Sequence, residues 1–149
     1  MIQRADPPRN SENRHGSCVA FGDDAVLILG ASGAGKSTLV LALMAVGGVL
    51  VADDRADLAA TDDGVFVSAP APLAGLVEAL GVGLLRAPHQ PSARLALVVD
   101  LDQAETARLP QKRNVSILGH AIPLLHNVEG GHFAMAIRLY LTHGPHPEP

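Results

Sequence analysis

Eight consecutive residues, Gly30, Ala31, Ser32, Gly33, Ala34, Gly35, Lys36 and Ser37, have the types and spacing needed to hold a phosphate. They follow the pattern G-x-x-x-x-G-K-[ST], the Walker A or P-loop. The glycines let the backbone turn tightly and approach an anion. Successive N–H groups then line a concave nest for phosphate oxygens. Lys36 supplies a positive charge to the outer phosphates, and the Ser37 hydroxyl is suited to Mg²⁺. Sixteen positions beyond Ser37 come two adjacent carboxylates, Asp53 and Asp54. On their own they would read as a solvated turn. Beside a phosphate site, one can hold Mg²⁺ and the other can take a proton from an attacking hydroxyl.

This chemistry requires elements that bring the two stretches together. Ala25 to Leu29 is a continuous apolar run and predicts a buried strand leading into the loop. Ser37 to Val46 predicts a helix, closed by Gly47-Gly48. It is apolar on all sides, so it should be buried on more than one face. Val49 to Ala52 then predicts a second strand ending at Asp53-Asp54-Arg55. Strand, P-loop, helix and strand form a βαβ unit, whose strand ends are where an α/β sheet binds ligands.

The remaining segments fill out an α/β domain. Met1 to Arg14 reads as a flexible lead-in. His15-Gly16-Ser17 opens a strand, Cys18 to Phe21, turned back by Gly22-Asp23-Asp24 into the P-loop strand. Asp62-Asp63-Gly64 predicts a hairpin between Leu58–Thr61 and Val65–Ser68. Leu73, Leu76, Val77 and Leu80 have helical spacing and predict a short amphipathic helix carrying Glu78. Further strands are expected at Leu84-Leu85, 93–101, 115–118 and 122–125, with a helical turn at 103–109. The last helix follows Gly130-Gly131, packed through Phe133, Ala134, Ala136, Ile137, Tyr140 and Leu141. Residues 15–142 form a single domain in this reading, and 143–149 a flexible tail.

Composition narrows the function. Of 149 residues 48% are hydrophobic and 3% aromatic, so the core must be aliphatic. The net charge of −4, with no basic block, argues against a nucleic-acid partner. A single cysteine, Cys18, excludes an internal disulfide and reads as a buried strand residue. No run is long and apolar enough for a membrane span and no signal peptide is evident, so a cytoplasmic location without membrane contact is expected. Taken alone, His15 is structural and Glu78 a surface charge. A cation that stabilises transferring charge is expected from among Arg55, Arg86, Lys112, Arg113 and Arg138, and the sequence does not choose.

The order His15-Gly16, P-loop, then Leu50-Val51-Ala52-Asp53-Asp54-Arg55 resembles the catalytic domain of HPr kinase/phosphorylase. The segments Leu73 to Gly83 and Leu95 to Leu101 are similar to that family as well, and the compact form is that of its short alphaproteobacterial members. The resemblance implies a P-loop kinase fold of the HPr kinase and PEP carboxykinase-like type, a mixed β-sheet with flanking helices. It implies ATP and Mg²⁺ as cofactors and HPr, the seryl-phosphorylated phosphocarrier of the sugar phosphotransferase system, as partner. It also implies the reverse phosphorylase reaction and a homo-oligomer, a hexamer. Gly30 to Ser37 would bind the nucleotide, Ser37, Asp53 and Glu78 would surround the metal, and Asp54, with Asp53 kept in play, would act as base. His15 would lie near the phosphates.

Two departures mark the acceptor side. Where the family has acid-x-Arg-Gly, this chain has Glu78-Ala79-Leu80-Gly81, so Leu80 replaces an arginine. Beyond Leu125 the resemblance fades. A P-loop kinase for another substrate and a non-catalytic nucleotide-binding module are the alternative readings. A GTPase-type switch is disfavoured because Asn114 is not followed by Lys-x-Asp.

Overall fold

The computed structural model describes residues 10–147. Its elements run β1 (Ser11–Phe21), β2 (Asp24–Leu29), α1 (Lys36–Ala45), β3 (Val49–Ala52), β4 (Arg55–Thr61), β5 (Gly64–Ser68), a 3₁₀ turn (Ala71–Leu73), β6 (Leu76–Ala79), β7 (Gly83–Arg86), β8 (Ala93–Ala104), β9 (Arg113–Ile117), β10 (His120–Asn127) and α2 (Phe133–His143). The expected α/β class and mixed sheet are found. β1 begins at Ser11, inside the segment read as lead-in, and pairs there with β4 through Ser11↔Ala59 to His15↔Arg55. Residues 1–9 of the lead-in and 148–149 of the tail lie outside the described residues.

β1 organises the sheet. One edge pairs antiparallel with β2, from Gly16↔Leu29 to Phe21↔Asp24. The other edge pairs first with β4 and then with β3. The predicted βαβ unit is therefore split: β2 and β3 run in the same direction, with β1 between them. β2 also pairs in parallel with β8, and β5 meets β8 at Phe66↔Arg94. The path β2-β1-β4-β5-β8 consequently returns to β2, and the sheet curls on itself.

That curl gives two apolar faces. Strand side chains alternate between them. Leu27, Val51, Leu58, Val67 and Val98 fill the inner cluster, which the sheet covers by itself. Val26, Ile28, Leu50, Leu97 and Val99 face outward, where Val40 and Leu43 of α1 and Phe133, Ala134, Ile137 and Leu141 of α2 cover them. α1 packs on β1, α2 and β6 at once, which accounts for its being apolar all round. Truncating the fully buried Leu43 to Ala should cost about 2–5 kcal/mol and loosen the helix that carries the P-loop. Cys18 is buried in β1 as expected, and burial pushes its thiol far above the ordinary range.

Three local expectations are corrected. Leu73 to Leu80 is not a helix. After the 3₁₀ turn, Gly75 adopts φ +75 and the chain becomes strand β6, paired with β7 from Leu76↔Arg86 to Ala79↔Gly83. Val77 and Ala79 are buried and Glu78 is exposed, so a period of two fits this short run as well as a helical period. Pro72 and Gly75 decide against the helix. The turn expected at 103–109 is absent because β8 extends to Ala104, held by Asn127↔Ala104 and by Glu105 N–H donating to Asn127 O. Ala136 is exposed rather than packed, and α2 continues to His143 before the tail. The strand expected at Leu84-Leu85 is present as β7, and the Asp62-Asp63 hairpin closes at Thr61↔Gly64.

Candidate active site

The P-loop leaves the end of β2 and enters α1 at Lys36. Gly33 and Gly35 have φ +84 and +102, values that glycine adopts without steric cost. The first N–H groups of α1 have no acceptor within the helix, and that end carries the positive pole of its dipole. Lys36 is 7% exposed and donates through Nζ to Gly30 O at 2.6 Å and Ala31 O at 3.0 Å. A cavity of about 380 Å³ opens over the loop, lined by His15, Ser32, Gly33, Gly35, Lys36, Ser37, Thr38, Asp54, Glu78 and Leu80. A larger cavity of about 1060 Å³ lies elsewhere, among Leu109, Pro110, Leu124, Tyr140 and Pro145. It shares no lining residue with the loop.

Asp53 and Asp54 arrive beside the loop as expected, but in opposite environments. Asp53 is 6% exposed, and its carboxylate accepts from Ser17 Oγ at 2.7 Å, Ser37 Oγ at 3.1 and 3.2 Å, and Glu78 N–H at 2.9 Å. The Asp54 side chain is 67% exposed, and its Oδ1 lies 2.8 Å from His15 Nε2. Asp54 also has φ +69, a left-handed value that costs a non-glycine residue about 1–3 kcal/mol. Its backbone is pinned all round. Arg55 N–H donates to Asp53 O, Gly16 N–H to Asp54 O, and Asp54 N–H to Ser17 Oγ. Asn and Asp tolerate this region best among non-glycine residues, which fits an acid here.

Among the described residues, the buried polar or charged side chains are Ser17, Lys36 and Asp53, all at this one place. Burying such groups is costly unless each is hydrogen-bonded, and here each is. The Ser37 hydroxyl and the Asp53 carboxylate form a hard-oxygen pair suited to Mg²⁺, which is held through few protein oxygens while keeping several waters. Glu78 lines the same cavity, on β6 rather than on a helix, and contributes its backbone N–H to Asp53. Leu80 stands at the cavity mouth, 87% exposed.

None of the five basic residues considered from sequence lines this cavity. Arg113 pairs with Glu105, Arg138 donates to Val46 O, Arg55 reaches Asn13 Oδ1, Arg86 is exposed on β7, and Lys112 borders the larger cavity. Two participants were not foreseen. Ser17 lies two residues after His15, and the period of a strand puts both on one face. Asp102, at the end of β8, accepts the Ala31 N–H. The rule that strand ends surround the ligand site could have pointed to it.

Fold and site together define a P-loop domain equipped with a buried carboxylate–hydroxyl pair. Residues 9–126 match the HPr Serine kinase C-terminal domain family, and the chain belongs to that family. It is similar to the HPr kinase/phosphorylase of Caldicellulosiruptor bescii, 31% identical over 125 residues, covering 75% of this chain and 40% of that protein. It is also similar to that of Limosilactobacillus reuteri strain DSM 20016, 37% identical over 110 residues, 68% of this chain and 33% of the relative. The chain thus spans two fifths or less of the length of these relatives. The fold resembles the Hpr(Ser) kinase/phosphatase structure from Coxiella burnetii, with TM-score 0.73 and 22% identity over 87% of this chain and 95% of that one. The family match ends at residue 126, near where the sequence resemblance fades.

Proposed function

We propose that this domain transfers the γ-phosphoryl group of ATP to a serine of an HPr-like phosphocarrier, with Mg²⁺, and that it also runs the reverse phosphorylase reaction. The observation that carries the proposal is the buried polar set Ser17, Lys36 and Asp53 gathered against the P-loop, with Asp53 bonded to Ser17 and Ser37, beside an exposed, backbone-strained Asp54 that lines the cavity. Membership of the family supports the choice of acceptor.

Each residue has a separable task. The loop N–H groups and Lys36 bind the outer phosphates, with Lys36 exchanging its two carbonyl acceptors for phosphate oxygens. Ser37 and Asp53 hold Mg²⁺, and Glu78 faces the same space. The metal, when bound, neutralises charge on the phosphates. Asp54 accepts the proton of the attacking serine hydroxyl as its oxygen bonds to the γ-phosphorus and the bond to the bridging oxygen breaks, releasing ADP. In the reverse direction inorganic phosphate attacks the seryl phosphate, serine leaves with the proton from Asp54, and pyrophosphate forms. His15 orients the Asp54 carboxylate through their 2.8 Å contact. Assembly as a homo-oligomer, a hexamer, belongs to the same proposal and is measured by sedimentation.

The test is transfer of label from γ-³²P-ATP to the host's HPr-like protein with Mg²⁺, set against a carrier whose acceptor serine is alanine. Label on the serine carrier alone is the expected result. Tight nucleotide binding with an unlabelled carrier would overturn the proposal and leave another acceptor or a non-catalytic role.

A further inference from the structure

The peptide joining Gly30 to Ala31 is held from both sides. Its carbonyl, Gly30 O, accepts from Lys36 Nζ at 2.6 Å. Its N–H, on Ala31, donates to both carboxylate oxygens of Asp102, at 3.0 and 3.1 Å. Asp102 belongs to β8, the parallel neighbour of β2, with Leu29↔Asp100 the last registered pair before the loop. Asp102 is in turn tied back by its own N–H, which donates to Asp100 Oδ1 at 2.9 Å. It does not line the phosphate cavity. The carboxylate therefore grips the loop from outside.

We propose that Asp102 is a positioning residue that keeps the P-loop in its phosphate-binding shape. The two grips on the peptide differ in what a ligand does to them. Lys36 must release Gly30 O and Ala31 O to reach a phosphate, a step that rests on the nucleotide-binding reading of the loop. Asp102 keeps its hold, since neither it nor Ala31 lines the phosphate cavity. The strand end of β8 thus fixes the first peptide of the loop while the lysine changes partners. A charge-assisted hydrogen bond of this kind is among the stronger ones. The Ala31 amide needs an acceptor oxygen at this place, and the charge adds to the strength of the bond. Asparagine, which retains the acceptor oxygen, should serve.

The experiment measures pyrophosphate and Mg-ATP affinity by calorimetry for the unaltered protein, Asp102→Ala and Asp102→Asn, with amide hydrogen exchange at Ala31 in the ligand-free protein. Asp102→Ala should weaken both ligands by about 10-fold, the effect of one hydrogen bond to a charged group, and speed Ala31 exchange. Asp102→Asn should restore both readouts. Affinity and exchange in Asp102→Ala equal to those of the unaltered protein would overturn the proposal, as would Asp102→Asn behaving like the alanine variant while equally folded. Should the unaltered protein bind neither ligand, the nucleotide reading fails, and Ala31 exchange alone still decides the role of Asp102.

Discussion

The P-loop with the end of β3 and the β6–β7 hairpin border one cavity and are built on opposite terms. The first is anchored by buried, hydrogen-bonded side chains: Asp53 meets Ser17, Ser37 and the backbone of residue 78, and Lys36 is 7% exposed. The second is a two-stranded piece separate from the main sheet, with every residue of β7 exposed and Leu80, Val82 and Leu84 largely open to solvent. The contrast shows which half is constrained by folding. A buried charge must be partnered wherever it sits, so the phosphate half cannot change one residue at a time. Beyond the buried Val77 and Ala79 and the Glu78 N–H held by Asp53, the hairpin has no such coupling, and its tip can carry Leu80 or an arginine at little cost in stability.

The largest test of this contrast is Asp54→Asn. Asparagine tolerates φ +69, so the backbone should hold, while loss of the base should cut phosphoryl transfer by about 10²–10⁴-fold. Nucleotide affinity should stay within about threefold, checked by calorimetry beside the label-transfer rate. Next is Asp53→Ala, which strands the Ser17 and Ser37 hydroxyls and the Glu78 N–H. It should lower unfolding free energy by about 1–3 kcal/mol in urea melts and remove the dependence of nucleotide binding on Mg²⁺. Leu80→Arg, on the open side, should alter stability by no more than about 0.5 kcal/mol, yet change KM for the carrier protein, read in steady-state transfer assays. A loss of stability like that of Asp53→Ala would end the distinction between the halves.

The smallest effect concerns neither half and sets the background. Arg113 donates to Glu105, which lowers the Glu105 pKa below 4.5, with the Ala107 N–H adding to this. Because the folded value is depressed, the pair's contribution to stability is present above pH about 4.5 and is lost as pH falls through the folded value. The stability difference between the unaltered protein and Glu105→Gln should therefore shrink below pH 4.5, followed by urea melts across pH 3–6.

What could be read from sequence was what is local. The P-loop, the strand before it, the helix after it and the Asp62-Asp63 turn each occupy a few adjacent residues whose types have one plausible backbone. Asp53 and Asp54 were legible because one crossover fixes their distance from Lys36. Long-range pairing was not. Nothing near Ser11 announces that β1 reaches back to β4, and nothing near Asp24 announces that β2 will pair with β8 and let the sheet curl. The helix expected at Leu73 to Leu80 failed because so short a run fits two periods, and Pro72, Gly75 and pairing with β7 chose the one that buries Val77 and Ala79. Asp102, 71 residues from the amide it holds, escaped for a related reason, and only the rule about strand ends pointed its way.

The pairing of β1 with β3 contains one irregularity. Cys18 lies opposite Ala52, but Val19 lies opposite Leu50, so Val51 is an extra residue on β3. Val51 and Ala52 consequently both join the inner cluster, although neighbours in a regular strand alternate. Asp53, next in line, therefore comes up on the face of Ser17 and the P-loop. In a regular strand it would have faced the inner core. Asp53 owes its address to a counting error in the ladder: deleting one residue at this point would leave Asp53 and Asp54 in the sequence and turn the Asp53 carboxylate away from Ser17 and the P-loop.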